Sequence, residues 1–152
     1  MNSQFISTAG TYYVMHKLAM NEIHASCTFG NAPNVDILAS SIDGSKSISI
    51  QVKTSSCAIR WKGRGQDKKP DHLEWNLGLK AAKTSLENLF FTFVDLDDDY
   101  DGGTVVYIVP SKFIFEYFEG WVDDLKWVRF HIPLNEILPF KENWEIVRKA
   151  LT

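Results

Sequence analysis

Cysteine is scarce in this chain. Cys27 and Cys57 are the only two in 152 residues. They form no C-x-x-C pair and no ligand cluster with the four histidines, which excludes a disulfide-stapled scaffold and a zinc ribbon and reads as reduced thiols. An excess of positive charge is missing too. Sixteen Lys and Arg face nineteen Asp and Glu, a formal charge of −3, so any nucleic-acid contact has to come from a local patch. No hydrophobic run approaches the roughly 20 residues of a membrane span. The opening MNSQFISTAG lacks the charged-then-apolar layout of a signal peptide, so a cytoplasmic protein with no membrane partner is expected. There is no internal repeat, Walker loop, dinucleotide fingerprint or hydrolase triad pattern. What remains is 45% hydrophobic and 23% charged, the make-up of one well-packed domain spanning 1–152.

In chain order, Ser7 or Thr8 is expected to cap a helix reaching about Asn21, with Val14 and Leu18 in its buried stripe and His16 facing solvent. Tyr12 and Tyr13 near its start are read as core packing. Ile23, Ala25, Cys27 and Phe29 alternate with polar residues, the period of a strand with one buried face. The loop Gly30-Asn31-Ala32-Pro33-Asn34 follows. Further on, Leu89–Val94 and Thr104–Val109 read as buried strands. Between them, Asp97-x-Asp99-x-Asp101-Gly102 imitates an EF-hand opening. It has Ile108 where that loop needs a bidentate glutamate, and is expected to be a solvated hairpin loop. Pro110 starts a helix through Glu119, Trp127–Ile132 reads as an edge strand, and two short helical pieces flank Pro139.

The most informative stretch is Asn34–Lys53, NVDILASSIDGSKSISIQVK. Asp43-Gly44 between apolar runs signals a two-residue hairpin turn of type I′, which needs positive φ at both positions. Counting outward from Ile42 opposite Ser45 sets Ala39 against Ile48, Ile37 against Ile50 and Val35 against Val52, an apolar face. The other face pairs Ser40 with Ser47, Leu38 with Ser49 and Asp36 with Gln51, and Lys53 follows one step on. A one-residue slip would flip every side chain, so turn and hydrophobic pattern specify the register jointly. An acid, an amide and an ammonium therefore converge at the open end of the hairpin, directly opposed residues having Cβ atoms about 5 Å apart.

Beyond Lys53 the composition changes. Arg60, Lys62, Arg64, Lys68 and Lys69 are interspersed with Trp61, Gly63 and Gly65. This reads as a glycine-loosened basic loop suited to a nucleic-acid backbone, with an aromatic available to stack on a base. A short helix is expected within Trp75–Glu87, burying Leu77, Ala81 and Leu86.

An acid at the start of one strand followed by acid-x-Lys at the end of the next resembles the PD-(D/E)XK nuclease superfamily, restriction-endonuclease-like in fold. The matching residues are Asp36 and Gln51-Val52-Lys53, and the resemblance covers about residues 8–54. It is closest to small standalone bacterial proteins of unassigned function, and more distant from Holliday-junction resolvases and compact homing or restriction endonucleases. The resemblance implies an α/β fold, an αβββαβ core with a mixed central sheet flanked by helices, spanning 8–109 and followed by a C-terminal extension over 110–152. It implies Asp36, Gln51 and Lys53 as catalytic residues, and Asp36, Gln51 and the Val52 backbone carbonyl as ligands of Mg²⁺ or Mn²⁺. The activity implied is metal-dependent endonuclease cleavage of DNA, with a homodimer through the aromatic C-terminal third. Two positions depart from the pattern. Gln51 stands where the second acid belongs, and Thr11 lies where the resolvase-like branch carries a glutamate, Glu22 being at the helix end. These departures motivate a second expectation, a nuclease fold that binds nucleic acid or protein without cutting.

Overall fold

A computed structural model describes residues 2–28, 35–98, 100, 102–120, 122 and 126–152. The loop 30–34 and Phe29, Asp99 and Asp101, all read above, lie outside them, as does Trp121. The chain begins with helix α1 (Ser3–Met20), followed by β1 (His24–Cys27), β2 (Ile37–Ser40) and β3 (Ser47–Ser55). Strands β4 (Ile59–Lys62) and β5 (Lys69–Asn76) come next, then a single turn of helix, α2 (Leu79–Ala82). Strands β6 (Leu89–Asp95) and β7 (Val105–Pro110), helix α3 (Ser111–Phe118), β8 (Arg129–Pro133), α4 (Leu134–Ile137) and α5 (Glu145–Leu151) complete it. The result is a mixed α/β fold. A five-stranded sheet runs in the order β1-β2-β3-β6-β7, and a second sheet has the order β4-β5-β8. Only β3 and β6 pair in parallel within the five-stranded sheet.

Alternation decides which layer each strand faces. Ile48, Ile50 and Val52 of β3 pack with Val14 and Leu18 of α1, with Val147 and Leu151 of α5 and with Trp144 just before α5. On the opposite face Phe91 and Phe93 of β6 meet Leu73 and Trp75 of β5, Phe130 and Ile132 of β8 and Ile114 and Phe118 of α3. Covered on both faces, β6 is buried along its whole length, as a continuous apolar run at the sheet centre requires. Trp75 locks the two sheets together. Its ring lies 5.2 Å from Phe93 and 5.7 Å from Tyr107, and its Nε1–H donates to the Val94 carbonyl at 2.9 Å. Of the C-terminal aromatics, Phe118, Phe130 and Trp144 are thus spent closing these two cores.

Several expectations change. The first helix starts five or six residues early, because Asn2, not Ser7 or Thr8, caps it, its Oδ1 accepting from the Gln4 N–H. Thr8 and Thr11 instead turn their hydroxyls onto the carbonyls of Gln4 and Ser7 inside the helix. Tyr13 packs against the core, whereas Tyr12 is exposed. The Asp43-Gly44 turn is wider than type I′. Only Gly44 has positive φ, Ser41 and Lys46 close the loop, and Asp43 caps it from its side chain. Both turn widths give the same pairing sum, so the register from Ile37 opposite Ile50 to Ser40 opposite Ser47 is as expected.

The larger correction concerns residues 54–88. A short helix does form within Trp75–Glu87, as α2 with Ala81 buried, although Leu86 is exposed; the expected basic loop, however, is the hairpin β4–β5. Its alternation was present, with Leu73, Trp75 and Leu77 inward and His72, Glu74 and Asn76 outward. Lys, Asp, Glu and Pro, all poor strand formers, masked it. Pro70 is tolerated because it sits opposite Trp61 beyond the stretch of β5 that pairs with β8.

Helix α1 approaches β3 closely at one point. A Cβ on Gly10 would lie 1.9 Å from Thr54 Oγ1 and 2.8 Å from Thr54 Cβ, and a β-branched side chain has little freedom to yield. Gly10→Ala is expected to destabilise the protein by about 1–3 kcal/mol through overpacking, despite alanine's better helix propensity. Urea denaturation measures this, and an unchanged or raised midpoint would contradict the close approach.

Candidate functional site

The β2–β3 ladder ends at Ile37 opposite Ile50, and the two strands part just where Asp36 begins. The Asp36 N–H donates to the Ile50 carbonyl at 2.9 Å rather than continuing the regular pairing. In the gap, Asp36 Oδ2 accepts the Val52 N–H at 2.7 Å, replacing the Val35 carbonyl that an unbroken ladder would bring there. The Val35 carbonyl is itself taken by the Thr28 hydroxyl. N–H and C=O of one strand residue point to the same edge, so the Val52 carbonyl also lies on the Asp36 side of β3.

Gln51 and Lys53 stand on the β3 face opposite α1, next to Phe91 and Phe93 in the parallel register with β6. Gln51 is buried, and its Oε1 has no hydrogen-bond partner. A buried amide oxygen without a donor costs on the order of 1–3 kcal/mol, which marks it as an acceptor held ready for something else. Lys53 is half-buried. Desolvation pushes its pKa down, and the Asp36 charge partly restores it.

The donor set fits a hard divalent cation. Asp36 supplies the one carboxylate, Gln51 Oε1 is an orphaned buried oxygen, and the Val52 carbonyl faces the same gap; Mg²⁺ prefers oxygen ligands of this kind. Among the described residues, no group of three or more His, Cys, Asp and Glu is placed to hold a metal, so amide and peptide oxygens would have to complete the set. Thr11 adds nothing to it, its hydroxyl being bonded to the Ser7 carbonyl.

The five basic residues do not act as one loop. Arg60 folds back on the chain just before it, its Nη1 donating to the carbonyls of Cys57, Ala58 and Ile59. Lys62 and Lys69 face each other across the β4–β5 hairpin, and Arg64 precedes its terminal turn. The Lys68 ammonium lies 5.0 Å over the Trp61 ring, which packs against the core and against Tyr100. Trp61 is therefore engaged, and only Arg60 of the five shares a hollow with Thr54 and Ser55 at the end of β3.

Two features escaped sequence reasoning. Arg129 on β8 reaches the same Glu74 carboxylate oxygen as Arg60, from a strand whose partner was hidden. Asp95, read as part of a solvated linker, is fully buried beside Ser55, and neither carboxylate oxygen has a partner. Burial raises its pKa to about 6, with Asp98 adding to the rise; the N–H groups of Ala58, Asp97 and Ile59 oppose it without completing hydrogen bonds. The sequence signal was a single one: Asp95 continues the inward alternation of Phe91 and Phe93.

Two titrations follow. Because folding disfavours the Lys53 cation, Lys53→Met is expected to be more stable than wild type at pH 7. That margin narrows as pH rises toward 10.5, where the unfolded lysine also loses its charge. Chemical denaturation across pH measures it, and a less stable variant would contradict the burial of the ammonium. Asp95 binds its proton more tightly folded than unfolded, so its contribution is fully present below about pH 4 and lost as pH rises through about 6. Asp95→Asn is expected to flatten that slope in the stability profile; an unchanged slope would refute it.

No family model matches this sequence, and no curated protein does. Among solved structures the fold is similar to a bacterial homing endonuclease, I-Ssp6803I, with a TM-score of 0.53 at 10% identity, covering 98% of this chain and 95% of that one.

Proposed function

We propose that the protein is a metal-dependent phosphodiesterase acting on DNA, of the PD-(D/E)XK type, with Asp36, Gln51 and Lys53 as its working residues. The observation that carries this is the buried, partnerless Gln51 Oε1, set beside the Asp36 carboxylate and a desolvated lysine. The similarity in fold to a homing endonuclease supports the same reading. Asp36, Gln51 Oε1 and the Val52 carbonyl would hold Mg²⁺ or Mn²⁺, which when bound polarises a phosphoryl oxygen and acidifies a water.

The chain's own contribution is positional and electrostatic. Asp36 is fixed by the Val52 N–H, so its second oxygen is aimed without further ordering cost. Gln51 is held by the parallel pairing of β3 with β6, where it stands opposite Phe91, and offers its oxygen without adding charge. Lys53 places a compact cation where negative charge develops on the phosphate, and its partial burial strengthens that field relative to water. With a single carboxylate against one ammonium, the site carries almost no net charge, so metal affinity is expected to depend on the substrate's phosphate oxygens.

Cleavage of plasmid, linear duplex, single-stranded and branched DNA with Mg²⁺ or Mn²⁺ tests this. Wild type is expected to cut, chelator to stop it, and Asp36→Ala and Lys53→Ala each to lower the rate at least about a hundredfold. Equal activity in either variant overturns the assignment. Folded wild type that binds DNA but cuts none of it, in keeping with Thr11 at the glutamate's position, establishes the non-cutting module instead.

A further inference from the structure

The outward face of the second sheet carries a groove that none of the proposed catalytic residues occupies. Its inner end is a hollow of about 200 Å³ bounded by Thr54 and Ser55, the two residues after Lys53, and by Arg60, Asn76 and Arg129. Two residues of strand span roughly 7 Å, on the scale of one to two nucleotide steps along a duplex. The hollow therefore lies about where the next phosphate along a cleaved strand would fall. Glu74 organises its charge. The same Oε1 meets Arg129 Nη1 at 3.0 Å and Arg60 Nη2 at 3.6 Å, so two guanidinium groups converge on one carboxylate with a surplus of one positive charge. Arg60 is further pinned by three backbone carbonyls, while the Arg129 side chain remains 63% exposed.

The groove continues outward. A second hollow of about 690 Å³ shares Asn76 and Arg129 with the first and adds Lys126 and Trp127. Trp127 is 87% exposed, an unusual state for the largest apolar side chain, and it sits two residues from Arg129 on the same segment. A bare indole flanked by cations is the arrangement that holds an unpaired base: every base has a π-face, and the cations follow the backbone.

We propose that this groove seats the DNA strand flanking the cleavage position, Arg129 and Arg60 holding a phosphate and Trp127 stacking on an unpaired base. The inference rests on the nuclease reading for the position of the cut, and it adds a substrate preference, DNA with a single-stranded or branched segment beside the site. Arg129 and Trp127 are positioning residues here, with no role in bond cleavage.

The test is fluorescence anisotropy with labelled blunt duplex, the same duplex bearing a single-stranded flap, and the free single strand, in Ca²⁺ and in chelator, over a salt series. Trp127→Ala is expected to weaken flap and single-strand binding on the order of tenfold while leaving blunt duplex nearly unchanged. Arg129→Gln is expected to weaken every substrate and reduce the salt slope by about one, with Arg129→Lys keeping most of that slope. Circular dichroism and melting of each variant exclude unfolding as the cause. Equal loss on all three substrates in Trp127→Ala, or an unchanged salt slope in Arg129→Gln, overturns the proposal, as does wild type that binds none of the DNAs. Cutting that needs Lys53 but ignores Arg129 and Trp127 overturns the groove alone. Groove-dependent binding without any cutting upholds the groove and overturns the nuclease reading alone.

Discussion

The hydrogen bond from the Val52 N–H to Asp36 Oδ2 is the point at which the sheet opens into a candidate site. Up to Ile37, β2 and β3 satisfy each other's peptides. Beyond it the strands part, and a side chain takes over one of the vacated bonds. A buried strand edge cannot be left without partners, so the carboxylate that repairs the ladder is also the carboxylate that is locked in place. The parting opens the Val52 peptide to the Asp36 carboxylate, while Gln51 Oε1 stays buried without a donor on the neighbouring face of β3. On its other edge β3 is held by β6 over the full run Ser49–Ser55, so the two sides of the site are positioned by different pairings of a single strand.

That strand also separates two environments. Its α1-facing residues enter a dry apolar core, and the closeness of Gly10 to Thr54 shows how tightly the helix is drawn down on it. Its other face runs from Ser49 through Gln51 and Lys53 to Ser55, polar residues on a sheet half covered by the second, three-stranded sheet. The cover reaches β6, where Trp75 bonds to Val94, and the end of β3, where Thr54 and Ser55 share a hollow with Glu74 and Asn76, and it leaves Leu38 of β2 exposed. Lys53 is caught at this margin, too buried to be comfortable as a cation and too close to Asp36 to be simply neutral. Destabilised polar groups collected at one edge of a well-packed fold are what a site costs in stability.

A chain of net charge −3 can still offer cations to a polyanion if they are gathered locally. The gathering here is modest and depends on topology. Arg60 and Arg129 come from strands far apart in the chain and meet because β5 pairs with both β4 and β8. Glu74, from the middle strand, holds them 3.0–3.6 Å from one oxygen.

The expected opposition of Asp36 to Gln51 gives way to the break that lets Asp36 cap Val52, but the hairpin register from Ile37–Ile50 to Ser40–Ser47 and the apolar face of β3 were legible in the sequence. They follow from a period of two and a turn dipeptide, information contained within twenty consecutive residues. The helix order, the buried strands β6 and β7, and the resemblance to a nuclease fold rest on equally local patterns. The second sheet was not legible: charged residues covered its alternation, and its third strand lies about fifty residues downstream. A still longer separation along the chain hid Arg129 from Arg60. Only the folded chain could show that Trp61 is engaged while Trp127 is bare, since identical side chains differ here in what has packed over them. Asp36 capping Val52, Gln51 lacking a donor and Asp95 being sealed from water were likewise decided in three dimensions. Sequence specifies which groups are polar and which way a strand turns them, whereas desolvation and hydrogen-bond satisfaction depend on what distant segments bring alongside.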